Sequence, residues 1–281
     1  MKSKRHQLIA NALIHLPNNR LINRIVRPII KYYHYHNLQS ITTRMGYSIN
    51  IGGGDTSLLG IRSLVILGVY EADYMRLLAS LVKPGETVVD LGANEGYLSL
   101  FLAMKVGPKG HVYAIEPNMN NVLALEANIK LNALTNITII PKAVSDKAGH
   151  FQMYGDRAWG SLYRQSNITN STYLVKVDTL DALYKDHMDN SRIALIKMDV
   201  EGSEIRVLRG AQKLISTLRP IVAFEVNLTL IAYEDISINE IFDFFLESKY
   251  SLFIERKGKL VTFEWLCDRV LNLVAIPNER I

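Results

Sequence analysis

Hydrophobic and polar positions along this chain fall into blocks whose period switches back and forth. Thr87, Val88 and Val89 form a β-branched run suited to a strand covered on both faces, with Asp90 at its carboxyl end. Gly92 and Gly96 then bracket Ala93, Asn94 and Glu95, after which Tyr97, Leu100, Phe101 and Met104 fall at helical spacing. Residues 87–101 therefore predict strand, glycine turn and helix. Residues 111–116 (HVYAIE) read as a second strand ending in an acid, and Val122, Leu123, Leu125, Ile129 and Leu131 predict a helix. Third, fourth and fifth strands are expected over 136–144, 193–200 and 221–227, with a helix over 202–215 between the last two. Ser237 and Glu240 have capping-box spacing ahead of an apolar-faced helix to Leu246. Residues 251–256, 260–263 and 271–276 close the pattern as strands around a Lys257-Gly258 turn. Alternating strands and helices predict an α/β fold with a mainly parallel sheet covered on both faces. Ligands should gather at the strands' carboxyl ends.

Composition leaves that picture intact. The chain has 281 residues, 48% hydrophobic and 21% charged, which is ordinary for a globular protein and excludes a disordered one. Charge adds a second feature. Residues 1–54 hold eight lysines and arginines and no acid, leaving 24 bases and 27 acids for the rest. The formal +5 is thus +8 in the first fifth and −3 beyond it. We accordingly expect a basic, partly helical extension over 1–60 and a near-neutral α/β domain over 61–281.

Within the extension Leu21, Ile22, Ile25, Val26, Ile29 and Ile30 share one side of a helical wheel, opposite Arg20, Arg24, Arg27 and Lys31. Pro28 would kink this helix or split it in two. The aromatic and imidazole run from Tyr32 to His36 follows. Two uses fit: packing on the domain, which is the commoner, or seating residues 1–36 on an anionic membrane. A cleavable transit sequence has a similar composition and ranks third. No run approaches the ~18 apolar residues of a span, the best being 58–69, broken by Arg62. With one cysteine, Cys267, and no signal peptide, we expect a cytoplasmic protein, peripheral to the membrane if the basic helix seats it there.

The glycine turn points to a nucleotide cofactor. A pyrophosphate site wants G-x-G-x-x-G, whereas here Gly92-x-x-x-Gly96 follows an acid that would repel phosphate. Asp90 suits a ligand carrying a cation, and S-adenosylmethionine has a sulfonium and an ammonium group. Glu116, at the end of the second strand, can accept both ribose hydroxyls from one rigid position.

The blocks VVDLGANEGYLSL, VYAIEPN, LNALTNITIIPKAVSDKAG and VDTLDAL, and above all IKMDVEGSEIRVLRGA followed by RPIVAFEVN, resemble the FkbM family of S-adenosylmethionine-dependent methyltransferases. The resemblance covers about residues 70–227. It implies a Rossmann-like, seven-stranded class I methyltransferase sheet with helices on both faces and its last strand antiparallel. It further implies O-methylation of a sugar or polyketide-type hydroxyl. Carried over, the family pattern places cofactor contacts at Asp90, Gly92, Asn94, Gly96 and Glu116, with adenine meeting the turn from Ala143 to Asp146. Asp199 falls where the family's strand-four acid lies beside the methyl group.

The residues themselves agree in part. Lys197 and Asp199 share one side of the fourth strand, Glu201 lies just beyond, and Glu225 holds the equivalent end of the fifth. Such groups are costly at strand ends unless paired or used. Lys197 and Glu225 fit a buried ion pair as well as catalysis, whereas Asp199 or Glu201 suits a general base for a hydroxyl held near ~3 Å from the methyl carbon. Clustered carboxylates at Asp199, Glu201 and Glu225 could hold a divalent metal, but no His or second Asp stands at ligand spacing, so that reading ranks low and no metal is assigned. The aperiodic segment 155–171, with Arg157, Trp159, Tyr163 and Arg164, suits either sugar contacts or a solvated loop. The acceptor is expected to be a saccharide, glycolipid or related small molecule. An RNA or protein methyltransferase is the alternative, opposed by the near-neutral catalytic part. A catalytically silent membrane-peripheral protein is a third reading, opposed by the intact Asp90, Gly92, Gly96 and Glu116.

Overall fold

In the computed structural model the described residues are 40–50, 65–66, 71–155, 162, 172–189, 191–231, 237–263 and 270–281, together with Arg24 and Pro28. Apart from Arg24 and Pro28 the amphipathic segment lies outside them, as do Arg157, Trp159, Tyr163, Arg164 and Cys267.

Strand β1 (Ser40–Thr42) pairs antiparallel with β2 (Ser48–Asn50). This hairpin falls within the segment assigned to the extension, yet Ile41, Tyr47 and Ile49 are buried with Val88, Leu100 and Val112 of the main domain. The chain continues through α1 (Ala72–Ser80), β3 (Thr87–Leu91), α2 (Tyr97–Val106), β4 (His111–Ile115) and α3 (Met119–Leu131). Asn118 caps α3, its side chain accepting the Asn120 N–H at 2.9 Å. Next come β5 (Ile137–Ile140), β6 (Ala143–Val144), β7 (Gly149–Tyr154), β8 (Thr172–Asp178), α4 (Leu180–His187) and β9 (Ile193–Met198). The expected third strand is therefore two strands. Pro141 has no N–H to donate, and beyond it the chain leaves the main sheet for a second, three-stranded one in the order β6-β8-β7.

The chain ends with α5 (Glu204–Arg209), α6 (Gln212–Leu218), β10 (Ile221–Asn227), α7 (Leu228–Ile231), α8 (Ile238–Glu247), β11 (Tyr250–Arg256), β12 (Lys259–Thr262) and β13 (Val270–Pro277). The single helix expected over 202–215 is broken at Gly210. A Cβ there would sit 2.2 Å from the Ser145 carbonyl, so the helix pair is pressed against the β6 turn at a point only glycine allows. The capping box of Ser237 and Glu240 opens α8 as its spacing predicts.

Among the described residues the main sheet has eight strands in the order β12-β11-β13-β10-β9-β3-β4-β5, one more than expected. β3, β4, β5, β9 and β10 run parallel, and β13 enters antiparallel between β10 and β11. The extra strand is β12, which folds back on β11 at the sheet edge. Every residue of β3 and β9 is buried, as strands covered on both faces require. Val88, Leu195 and Ala223 face α1, α2 and the hairpin, whereas Val89, Ile196 and Phe224 face α5, α6 and α8. Among the described residues no helix is long and apolar enough to cross a membrane.

Candidate active site

A cleft opens at the carboxyl ends of β3, β4 and β9, floored by Asp90, Gly92, Glu116, Lys197 and Asp199. Asp90 has no exposed surface; Ser99 donates its hydroxyl to Oδ2 at 2.5 Å, and Lys197 Nζ stands 3.3 Å from Oδ1. The same ammonium lies 3.7 Å from Asp199 Oδ2 and donates to the Gly92 carbonyl at 3.3 Å. Burial pulls the lysine pKa down, but the charges of Asp90, Asp199 and Glu71 outweigh it and hold it above the ordinary value. One ammonium thus ties two parallel strands to the turn. Gly92, at φ 75°, is required there because a Cβ would fall 2.0 Å from the Asp199 carbonyl.

Glu116 is held from three directions. Asn94 and Asn118 donate backbone N–H groups to Oε2 and Oε1 at 2.8 and 2.9 Å, and Asn121 Nδ2 reaches Oε1 at 3.3 Å. Burial raises its pKa, opposed by these hydrogen bonds and by Lys197. With two acceptor sites on each oxygen, Oε1 is filled by its two donors and Oε2, which takes one, keeps a site for a hydroxyl hydrogen.

Beyond β9 a group of carboxyls crowds together. Asp199 and Glu201 line the cleft with Glu71 and Ser203. Burial first, then the charges of Asp199, Glu225 and Glu204, push Glu201 up to about 8. Glu225 is pushed to about 7 by burial and by Asp199 and Glu71. Glu204, buried at the start of α5, is pushed to about 8 chiefly by burial, against the N–H that Gly202 donates to its Oε1 at 3.2 Å. Among the described residues no three His, Cys, Asp or Glu side chains are grouped so as to hold a metal ion.

A family model described as the methyltransferase FkbM domain matches residues 90–252, more than half of the chain. The chain belongs to the FkbM methyltransferase family. A wheat (Triticum aestivum) protein-L-isoaspartate O-methyltransferase is 31% identical over 75 residues, 27% of this chain, and the match spans 33% of the wheat protein's length. Among solved structures, an FkbM methyltransferase from Methylobacillus flagellatus superposes with a TM-score of 0.46 at 18% identity, over 79% of this chain and 55% of that one. A precorrin-6y C5,15-methyltransferase from Geobacter metallireducens gives 0.45 at 12% identity, over 74% and 88%.

S-adenosylmethionine, the methyl donor of FkbM enzymes, fits this cleft. An acceptor clamped in place at Glu116 and an excess of carboxylates suit a hydroxyl-bearing cation. Of the expected cofactor residues, Asp90, Gly92, Asn94, Glu116 and Ala143 line the cleft. Gly96 and Asp146 do not. Gly96 packs on α3, where a Cβ would meet Leu125 at 2.1 Å, and Asp146 lies 3.5 Å from the Arg206 guanidinium of α5. Of the expected catalytic residues, Lys197, Asp199 and Glu201 line the cleft, while Glu225 stands outside its lining, close enough to Asp199 to feel its charge. Sequence reasoning missed Glu71 just before α1 and Met75 within it, Asn118 and Asn121 around Glu116, and the buried Glu204. Asn118 had a signal, its N-cap position; Glu71 had none.

Proposed function

We propose that this FkbM protein is an S-adenosylmethionine-dependent O-methyltransferase whose acceptor is a hydroxyl of a saccharide, glycolipid or related natural product. The observation that carries this reading is the pair Asp199 and Glu201 at the end of β9, facing the cleft beside the Glu116 clamp. When bound, the cofactor supplies an electrophilic methyl group on a sulfonium. Glu116 would accept a ribose hydroxyl at Oε2, and Gly92 would let the turn close on the Asp199 carbonyl beside it. Asp199 would orient the acceptor hydroxyl, and Asp199 or Glu201 would take its proton as the new C–O bond forms. A carboxyl already pushed to about 8 binds that proton more strongly than an ordinary glutamate does.

Charge supports a neutral acceptor. Among the described lining residues Glu71, Asp90, Glu116, Asp199 and Glu201 face two lysines, Lys142 and Lys197, and Lys142 is already paired with Asp178 at 3.0 Å. Such a surface repels a nucleic-acid backbone and suits a polyol. The test is transfer of labelled methyl to a panel of nucleotide sugars, glycan extracts, RNA and protein, with Asp199→Asn beside the parent. We expect methylated saccharide, and turnover lowered far more than cofactor affinity in the variant. Label in RNA or protein alone, or equal losses of turnover and affinity, would overturn the reading.

We also propose an anionic membrane surface as partner for residues 1–36, supported by the eight uncompensated bases before Asp55. Sedimentation with anionic vesicles that persists in high salt, or truncation that unfolds the domain, would count against it.

A further inference from the structure

The side chain of Asn128, buried near the end of α3, joins two parts of the molecule that the chain keeps far apart. Its Nδ2 donates to the Glu95 carbonyl in the glycine turn at 2.8 Å, and its Oδ1 accepts the Asn50 N–H of β2 at 2.7 Å. One helical turn later, Asn132 Oδ1 accepts the Ser48 N–H and its Nδ2 donates to the Ser48 carbonyl, both at 2.7 Å. Four helical residues rise about 6 Å and two strand residues about 6.6–6.8 Å. Asparagines one turn apart therefore meet alternate residues of β2 and satisfy the backbone of its open edge. Asn132 serves the hairpin. Asn128 serves the hairpin and the turn.

What Asn128 grips in the turn bears on the cofactor clamp. Asn94 is left-handed at φ 52°, gives its N–H to Glu116, and accepts the Glu95 N–H on its own side chain at 2.8 Å. A left-handed residue persists where its surroundings fix it. The Glu95 carbonyl is the next hydrogen-bonding group along the chain, and Asn128 holds it. Gly96 seats the same turn on α3 through its contact with Leu125.

The geometry points to Asn128 as a positioning residue for the cofactor turn, holding Asn94 on Glu116 and linking the turn to the seating of the N-terminal hairpin. This inference rests on the cofactor reading above. Asn128→Asp, assayed at a pH that ionises the introduced carboxyl, keeps the acceptor for Asn50 and replaces the donor to Glu95 with a second acceptor, so it breaks the turn bond selectively. Asn132→Ala breaks the hairpin bonds and spares the turn. Two measurements separate them: calorimetry with S-adenosylhomocysteine, and amide hydrogen exchange at residues 94–96 in the cofactor-free protein. Asn128→Asp should weaken the ligand by about tenfold, the scale of one buried hydrogen bond, and speed exchange in the turn. Asn132→Ala should leave both close to the parent even where its melting temperature falls. Equal effects of the two variants, or unchanged exchange at 94–96 in Asn128→Asp, would overturn the assignment. A parent protein that binds no S-adenosyl ligand would overturn the cofactor reading instead, and the exchange data would still decide the role of Asn128.

Discussion

Replacing Lys197 with Met keeps the length of the side chain and removes its charge. Asp90, with no exposed surface, would then lose an ammonium at 3.3 Å and keep the Ser99 hydroxyl as its partner, while Asp199 would lose the same charge at 3.7 Å. Removing one partner of a buried pair costs about 3–5 kcal/mol, because the charge left behind has neither water nor a counterion. Each kcal/mol moves the melting temperature of a domain this large by about 2–4 °C, so the variant should melt roughly 6–20 °C lower. Urea unfolding at neutral pH, followed by circular dichroism, would measure the loss directly. The double variant Lys197→Met with Asp90→Asn also removes the stranded charge and should recover most of it. A loss below about 1 kcal/mol in the single variant, the size of an exposed ion pair, would refute the reasoning. So would a double variant less stable than the single one.

Gly92→Ala would place a Cβ 2.0 Å from the Asp199 carbonyl at φ 75°, so it should lower the melting temperature and abolish calorimetric binding of S-adenosylhomocysteine; parental values for both would contradict the packing described. Glu116→Ala should weaken the same ligand by about 1.5–3 kcal/mol, the worth of hydrogen bonds to a charged group, and an unchanged dissociation constant would remove Glu116 from the site. Glu201→Gln tests the raised carboxyl. Between its ordinary 4.5 and about 8 the folded protein holds a proton that the unfolded chain releases, so this group's contribution is full at the acid end, falls as pH rises through that window, and is lost above it. Gln cannot ionise; relative to the parent the variant should gain stability as pH rises across the window and match it at the acid end, and parallel pH profiles would count against the shift.

The turn from Asp90 to Gly96, Glu116 and the Asp199 block were legible in the sequence because each couples a buried strand to an abrupt change in period. The pair β7 and β8 was not read as strands. Val175 and Val177 alternate with exposed neighbours as a half-buried strand should, but the exposed Leu174 blurs the pattern. Gly210 sits where helical periodicity runs through without interruption, and only its contact with Ser145 reveals the break. The extra strand β12 belongs to a hairpin whose residues were read as strands, though the family's seven-stranded sheet has no place for it. Glu71 and Glu204 were invisible for a different reason: an acid just before or at the start of a helix reads as solvated until packing shows otherwise, and Glu71 meets Lys197, and Glu204 meets Glu225, across long stretches of chain.

The placement of β13 bears on how the sheet is assembled. β13 is made after the other described strands, yet it occupies an interior slot, paired with β10 at Val222–Ala275 and with β11 at Leu252–Ala275. Until residues 270–277 arrive, β10 offers the open edge of a strand whose first four residues are all apolar and buried in the finished fold, the kind of edge that recruits other chains. Synthesis therefore delivers the keystone after the stones on either side of it, and a ribosome stalled before Val270 would release two half-sheets with no bond between them. The slot accepts the same segment from any copy of the chain. Refolding at high concentration should accordingly yield strand-exchanged dimers, and dilution should suppress them.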